Sequence, residues 1–226
     1  KAGIAPGFGS NTDVIGSEIK DLGKLPLAHQ PGERWTYGLN VDILGYLVEL
    51  WSGKPLDQFL RESLFEPLGM NDTYFYLPPE KHSRLVKVSG QDAKHQAIPL
   101  KNNYFDYPLL TDGTYFSGGA GLSSTTRDYA IFLQMLLNKG VYNGQRILSR
   151  RTVELITCNQ IGELNRGKNK FGLGFEIITE EGQAVLGMSE DSFLWGGYFA
   201  TDYWADPKER IVGLIFMQQS PMSHGE

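Results

Sequence analysis

The hydrophobic pattern of this chain changes period once, near residue 170, and that change limits the fold more than any other feature. Before it, apolar residues recur at helical spacing; after it they run and alternate as strands do. Phe171 to Ile177, Phe193 to Ala205 and Ile211 to Met217 read as three strands, the last two joined by the turn Asp206-Pro207-Lys208-Glu209, which predicts an antiparallel meander. Helices first and a meander last imply an α+β fold, with a mostly helical domain over residues 1–165 and the strands of a second domain over 166–226. Few helices remain to cover the far face of such a sheet, so the arrangement reads as incomplete. The ends agree with that: Lys1 opens in a loop with Gly3, Pro6, Gly7 and Gly9 and no initiator Met, and Glu226 follows a strand and a short polar turn. The chain is read as a piece of a longer protein.

In the first part, Val14, Ile15, Ile19 and Leu22 form a short amphipathic helix behind the possible caps Asn11 and Thr12. The turn Gln30-Pro31-Gly32-Glu33 delivers Trp35 and Tyr37 to the start of a second helix, whose Val41, Leu44, Leu47, Val48 and Trp51 make one apolar face and which Gly53 closes. A third helix starts at Pro55, buries Leu56, Phe59, Leu60 and Leu64, and is expected to break at Pro67. Residues 71–116 are interrupted by Pro78, Pro79, Pro99 and Pro108 and predict long loops with small strands, one near Leu85 to Val88. Thr125 and Asp128 fit a capping box before the helical face Tyr129, Phe132, Leu133, Leu136 and Leu137, and Ser149 caps a further helix to about Cys158.

Composition removes several classes of function. With 226 residues, 41% hydrophobic and 21% charged, the chain has the makeup of an ordinary globular protein. Its longest apolar stretches, such as Ile131 to Leu137, are far short of the ~20 residues a membrane-spanning helix needs. A net charge of −5 with scattered Lys and Arg offers no basic stripe for phosphates, so no nucleic-acid partner is expected. Cys158 is the only cysteine, which excludes an internal disulfide, and His29, His82, His95 and His224 sit in no metal or catalytic motif. There is no Gly-x-Ser-x-Gly elbow, no His-Glu-x-x-His helix and no Walker-type loop.

What remains is a series of short segments. Pro31-Gly32-Glu33-Arg34-Trp35-Thr36-Tyr37 is followed by Leu44-Gly45-Tyr46-Leu47-Val48-Glu49 and Ser52-Gly53. Next come Phe65-Glu66-Pro67-Leu68-Gly69-Met70-Asn71-Asp72-Thr73, then Gly118-Gly119-Ala120-Gly121-Leu122-Ser123-Ser124-Thr125, and finally Trp195-Gly196-Gly197. In this order they resemble the serine β-lactamase and penicillin-binding-protein superfamily, in particular its class C-like and esterase branch. The resemblance covers nearly the whole chain and implies a β-lactamase/transpeptidase-like fold. It also implies a serine hydrolase that forms an acyl-enzyme, uses no metal or cofactor, acts on a small-molecule acyl substrate and, as a family trait, is exported or periplasmic.

Such an enzyme uses a Ser-x-x-Lys helix for the nucleophile, a Tyr-x-Asn segment for proton transfer and a Lys/His/Trp-x-Gly strand along the pocket. A phenol, with an ordinary pKa of about 10, becomes a useful base only beside a cation that favours its ionised form, so Lys and Tyr act as a unit. By resemblance Tyr37 is the tyrosine, Trp195, Gly196 and Gly197 are the pocket strand, and the N–H of Tyr198 is one oxyanion donor. Without those flanking segments Tyr37 would be an ordinary amphipathic tyrosine, and the Gly pair an edge-strand bulge. Leu39 stands where β-lactamases and peptidases keep an Asn that bonds the substrate's amide; Asn40 is one residue further on, turned about 100° away if helical. Leu39 therefore argues for esters or small amides over β-lactams. Ser17-Glu18-Ile19-Lys20 does match Ser-x-x-Lys, yet it lies far closer to Tyr37 than the family spacing allows and is read as a chance match. The nucleophile is thus expected outside this chain, which would be inert by itself. The readings set beside this one are a non-catalytic ligand-binding or scaffold protein of the same fold, and a β-lactamase or D-Ala-D-Ala peptidase.

Overall fold

The computed structural model describes residues 15–92, 94, 96–100, 103–164 and 167–220. The Gly/Pro-rich opening, Asn11, Thr12, Val14, His95 and His224 lie outside the described residues. Helices and two small hairpins lead into a five-stranded antiparallel meander, an α+β arrangement in which one core serves both parts.

Helix α5 (Thr126–Leu137) is the centre of that core. Thr125 caps it, its hydroxyl accepting the Asp128 N–H at 3.2 Å. The second half of the expected capping box is not made: the Asp128 carboxylate turns away from the cap and accepts the Asp72 N–H at 2.7 Å and the Thr73 hydroxyl at 3.0 Å. Leu133, Met135 and Leu136 are fully buried and pack with Phe65, Leu68 and Met70 on one side and with Phe175, Ile177, Phe193 and Ala205 of the sheet on the other. Ser149 caps α6 (Arg150–Ile156) through the Thr152 N–H, as its sequence predicts, and Val153 closes the core from that helix.

The sheet contains more strands than the sequence suggests. Its order is β5 (Lys170–Phe171), β6 (Glu176–Ile177), β7 (Phe193–Gly197), β8 (Thr201–Asp206) and β9 (Ile211–Phe216). The first two expected strands are each a hairpin. Gly174, at φ 103°, turns the chain between β5 and β6, and Ala200, at φ 57°, turns it between β7 and β8. Only the Asp206-to-Glu209 turn stands as expected, with Asp206 accepting the Lys208 and Glu209 N–H groups. Helix α7 (Glu180–Leu186), capped by Thr179, interrupts the meander between β6 and β7.

Three corrections concern the helical part. Helix α2 (Asn40–Ser52) ends at Gly53 in the left-handed region, as expected, but its apolar stripe is not its buried face: Val41, Leu44 and Trp51 are exposed, Leu47 and Val48 are half-buried, and the buried positions are Asp42 and Gly45. Asp42 is buried there as the acceptor of a hydrogen bond from Ser117. Pro67 does not break the third helix. Helix α3 (Leu56–Leu60) widens into a π turn at Arg61–Phe65 and continues as α4 (Glu66–Leu68), so the missing proline N–H falls where the ladder is already shifted, and Gly69 ends the run. Between 71 and 116 the strands are β1 (Ser89–Gln91) and β2 (Ala97–Pro99), whereas Leu85 to Val88 is irregular and two prolines sit in 3₁₀ turns at Pro79–Arg84 and Asn103–Leu109. The short strands β3 (Val141–Tyr142) and β4 (Gln145–Arg146) form a hairpin after α5, and α1 spans Ile15–Leu22. No described helix is long and apolar enough to cross a membrane.

The Pro67-to-Thr73 segment is held by charge as well as packing. Asp72 pairs with Arg84 at 2.5 Å and Lys81 at 2.6 Å, and these two cations lower its pKa from 3.8 to about 2. A carboxyl whose folded pKa lies below its unfolded value stabilises above the unfolded pKa and loses that stabilisation as pH falls through the folded one. Asp72→Asn should therefore cost about 1 kcal/mol near pH 7, a value reduced for solvent screening, and almost nothing at pH 2, as read from urea unfolding at both pH values.

Candidate active site

Tyr37 follows a braced turn. Gly32, at φ 83°, lets the chain reverse, and the Glu33 carboxylate accepts the Gln30 N–H at 3.0 Å. His29 bridges the turn, its Nδ1 2.9 Å from the Gln30 carbonyl and its Nε2 2.8 Å from the Thr36 hydroxyl. A carbonyl only accepts, so in the neutral ring Nδ1 carries the proton and Nε2 accepts from Thr36. The turn thus fixes the residue preceding Tyr37, and the phenol projects at 67% exposure.

Trp195 comes from the other end of the sequence. It lies on β7, the middle strand of the sheet, with Tyr203 directly across on β8 and in ladder register. The Tyr37 and Trp195 rings meet at 5.9 Å between centroids. Two further rings complete the group: Trp35 lies 6.4 Å from Tyr37 and 6.5 Å from Trp195, and Phe171 of β5 lies 5.3 Å from Trp35 and 5.1 Å from Trp195. An aromatic wall thus flanks the phenol on the side of the sheet. Beneath it, burial raises the pKa of the Tyr203 phenol; its hydrogen bond with Tyr129 lowers it in part, and the charge of a Tyr37 phenolate adds to the rise.

The glycines after Trp195 are not a bulge. Gly196 pairs with Asp202 and Gly197 with Thr201 in unbroken register. A Cβ on Gly197 would fall 2.3 Å from Thr201 Oγ1, and one on Gly196 2.7 Å from Asp202 Oδ1, so both positions are bare because cross-strand side chains lean over them. Tyr198, 68% exposed, begins the turn beyond and packs edge-on to Phe199 at 5.3 Å. Leu39 is half-buried at the N-cap of α2, where its side chain cannot cap, and Asn40 is the exposed first residue of the helix. Ser17 and Lys20 are both exposed on α1, which meets α2 where Gly16 lies against the Tyr46 ring. Among the described residues no group of three His, Cys, Asp or Glu side chains could hold a metal ion.

The sequence motifs point to Tyr37 and Trp195 but not to the rings around them. Trp35 was within reach, two residues before Tyr37. Phe171 and Tyr203 carry no local signal, because their neighbours are set by the β5–β6 and β7–β8 pairings.

Comparison with known proteins places this fold and these segments in a family. The Beta-lactamase family model matches residues 2–226, and the chain belongs to that family. It is 31% identical over 234 residues to protein Rv1367c of Mycobacterium tuberculosis, covering 95% of this chain and 55% of that protein. A protein of Escherichia coli K12, named as a candidate D-alanyl-D-alanine carboxypeptidase, is 27% identical over 72% of this chain and 39% of its own length. The chain spans about half or less of the curated relatives it matches. Among solved structures, simvastatin synthase LovD of Aspergillus terreus superposes with a TM-score of 0.76 at 27% identity, over 92% of this chain and 56% of that one. EstCE1, described as a hydrolase with promiscuous acyltransferase activity, gives a TM-score of 0.83 at 22% identity, over 96% and 60%, a likeness of fold.

The strand geometry carries its own test. Gly197→Ala should destabilise the chain by roughly 1–2 kcal/mol through overpacking against Thr201. Adding Thr201→Ala removes the hydroxyl in the way and leaves Thr201 Cβ at an ordinary 3.7 Å from the new methyl, so the double variant should recover most of the loss in urea unfolding.

Proposed function

We propose that this chain forms the tyrosine-and-strand side of an acyl-transfer site, in which a serine outside these residues attacks an ester or small amide and Tyr37 moves the proton. The observation that carries the reading is the meeting of Tyr37 with Trp195 at 5.9 Å, since the two were chosen from separate sequence segments. The proton path follows from ordinary chemistry. A phenolate beside the serine takes its proton as the acyl carbon is attacked, and the phenol returns that proton to the departing alkoxide; in deacylation water replaces the serine as proton donor. The backbone of the strand after Trp195, at the Tyr198 N–H, is suited to receive the developing oxyanion.

The substrate is an ester or small amide. Leu39 offers no amide contact where a peptide or β-lactam side chain would need one, and the rings of Trp35 and Phe171 add apolar surface beside Trp195. The name of one structural relative, a hydrolase with promiscuous acyltransferase activity, supports acyl transfer. The two halves of the proposal are tested together. The 226-residue chain alone should hydrolyse a chromogenic ester no faster than buffer. Joined to a segment bearing the Ser-x-x-Lys helix, it should hydrolyse that ester faster than a chromogenic cephalosporin or a D-Ala-D-Ala peptide. Turnover by the chain alone would return Ser17 to consideration, and a cephalosporin hydrolysed fastest would overturn the argument from Leu39.

A further inference from the structure

Helix α2, which follows Tyr37, buries Asp42 and Gly45 while three of the five residues of its apolar stripe stay exposed and Leu47 and Val48 are only half-buried. Val41, Leu44 and Trp51 are 44%, 57% and 79% exposed, while Asp42 is 3% exposed and Gly45 is buried beside it. A helix free to rotate about its axis would turn the apolar stripe inward, because burying aliphatic and aromatic surface is favourable and burying a carboxylate is costly.

The opposing contact is specific. Asp42 Oδ1 accepts the Ser117 hydroxyl at 2.5 Å and the Gly119 N–H at 3.4 Å. Ser117 is itself 1% exposed; its Oγ accepts the Ala120 N–H at 3.1 Å and its carbonyl the Gly121 N–H at 3.0 Å, so the loop is closed on itself around the carboxylate. The backbones then approach more closely than side chains would permit. A Cβ on Gly118 would lie 2.5 Å from the Val41 carbonyl oxygen, and a Cβ on Gly45 would lie 2.9 Å from Leu56 and 3.4 Å from Gly118 Cα. Glycine at these points is what allows the polar side of the helix to seat.

We infer that Asp42 is a positioning residue: by clamping the Ser117–Ala120 loop it fixes the rotation of α2 and, through it, the aim of Tyr37 at Trp195. The transmission is short. The Leu39 carbonyl accepts the Ile43 N–H at 3.2 Å, so the chain entering the helix turns with it, and a roll of one residue position, about 100°, would carry the Tyr37 segment off the sheet while it buried the stripe. The consequence for catalysis rests on the reading of Tyr37 given above; the rotation itself is a property of this chain alone.

The test uses the 226-residue chain with Cys158→Ser, to remove the exposed native thiol, and Leu44→Cys as a reporter on the apolar stripe. Maleimide labelling of Cys at 44 should be fast, and nuclear Overhauser contacts between the Tyr37 and Trp195 rings should be present. Asp42→Ala should slow the labelling about tenfold or more and abolish the ring contacts while thermal unfolding stays cooperative. Ser117→Ala should act in the same direction, and Asp42→Asn, which keeps the accepting oxygen, should restore both signals. Unchanged labelling and ring contacts in Asp42→Ala and Ser117→Ala would overturn the inference. Loss of cooperative unfolding in both would also overturn it, by making Asp42 a requirement of the fold. If instead the clamp behaves as described but Tyr37→Phe leaves ester turnover intact in the joined protein, the catalytic reading fails and the positioning result stands.

Discussion

The packing of α5 against the inner face of the meander is the contact on which the rest of the structure depends. Leu133 and Leu136 leave almost no surface to solvent, and the residues they meet come from both sides of the change in pattern near residue 170. Because β7 is the middle strand, its position is fixed by β6 and β8 through hydrogen bonds, and its Phe193 lies in the core that α5 shares. Trp195 inherits that rigidity. The same helix reaches the other way through Asp128, which holds the backbone of Asp72 and the hydroxyl of Thr73, so the loop-rich middle of the chain is tied to the core by a side chain that would otherwise have completed a helix cap.

Tyr37 reaches the site by a different route. Among the described residues its ring meets Trp35 and Trp195, and the turn before it is braced by His29. The site is therefore a junction between a rigid strand and a helix seated by polar contact against its own hydrophobic preference. In the proposed reaction the proton donor must sit within hydrogen-bond reach of the reacting oxygen, so a small shift at this junction would lower the rate.

Much of this was legible in the sequence where a local rule decides the outcome. Thr125 and Ser149 cap helices because their hydroxyls meet backbone N–H groups three residues on, and Gly53 ends α2 because it can take a left-handed conformation. The chain could not announce the hairpins within its two expected strands, since one turns at Ala200, a residue that rarely takes φ 57°. It also could not announce which way α2 faces. Periodicity finds a stripe, but Asp42 is buried against Ser117, which lies far away in sequence. Tyr37 and Trp195 were found through their flanking segments, whereas Phe171 and Tyr203 entered only with the strand pairing.

The central claim is that Tyr37 moves the proton in an acyl-transfer reaction whose pocket Trp195 lines. The most direct measurement is the steady-state hydrolysis of a chromogenic ester by this chain joined to the serine-bearing segment, with Tyr37 and with Tyr37→Phe. Removal of the phenolic oxygen should lower kcat by about 10²–10⁴ with KM nearly unchanged, since the oxygen acts on the proton in flight and contributes little to binding the ester. A kcat within twofold of the parent would contradict the account.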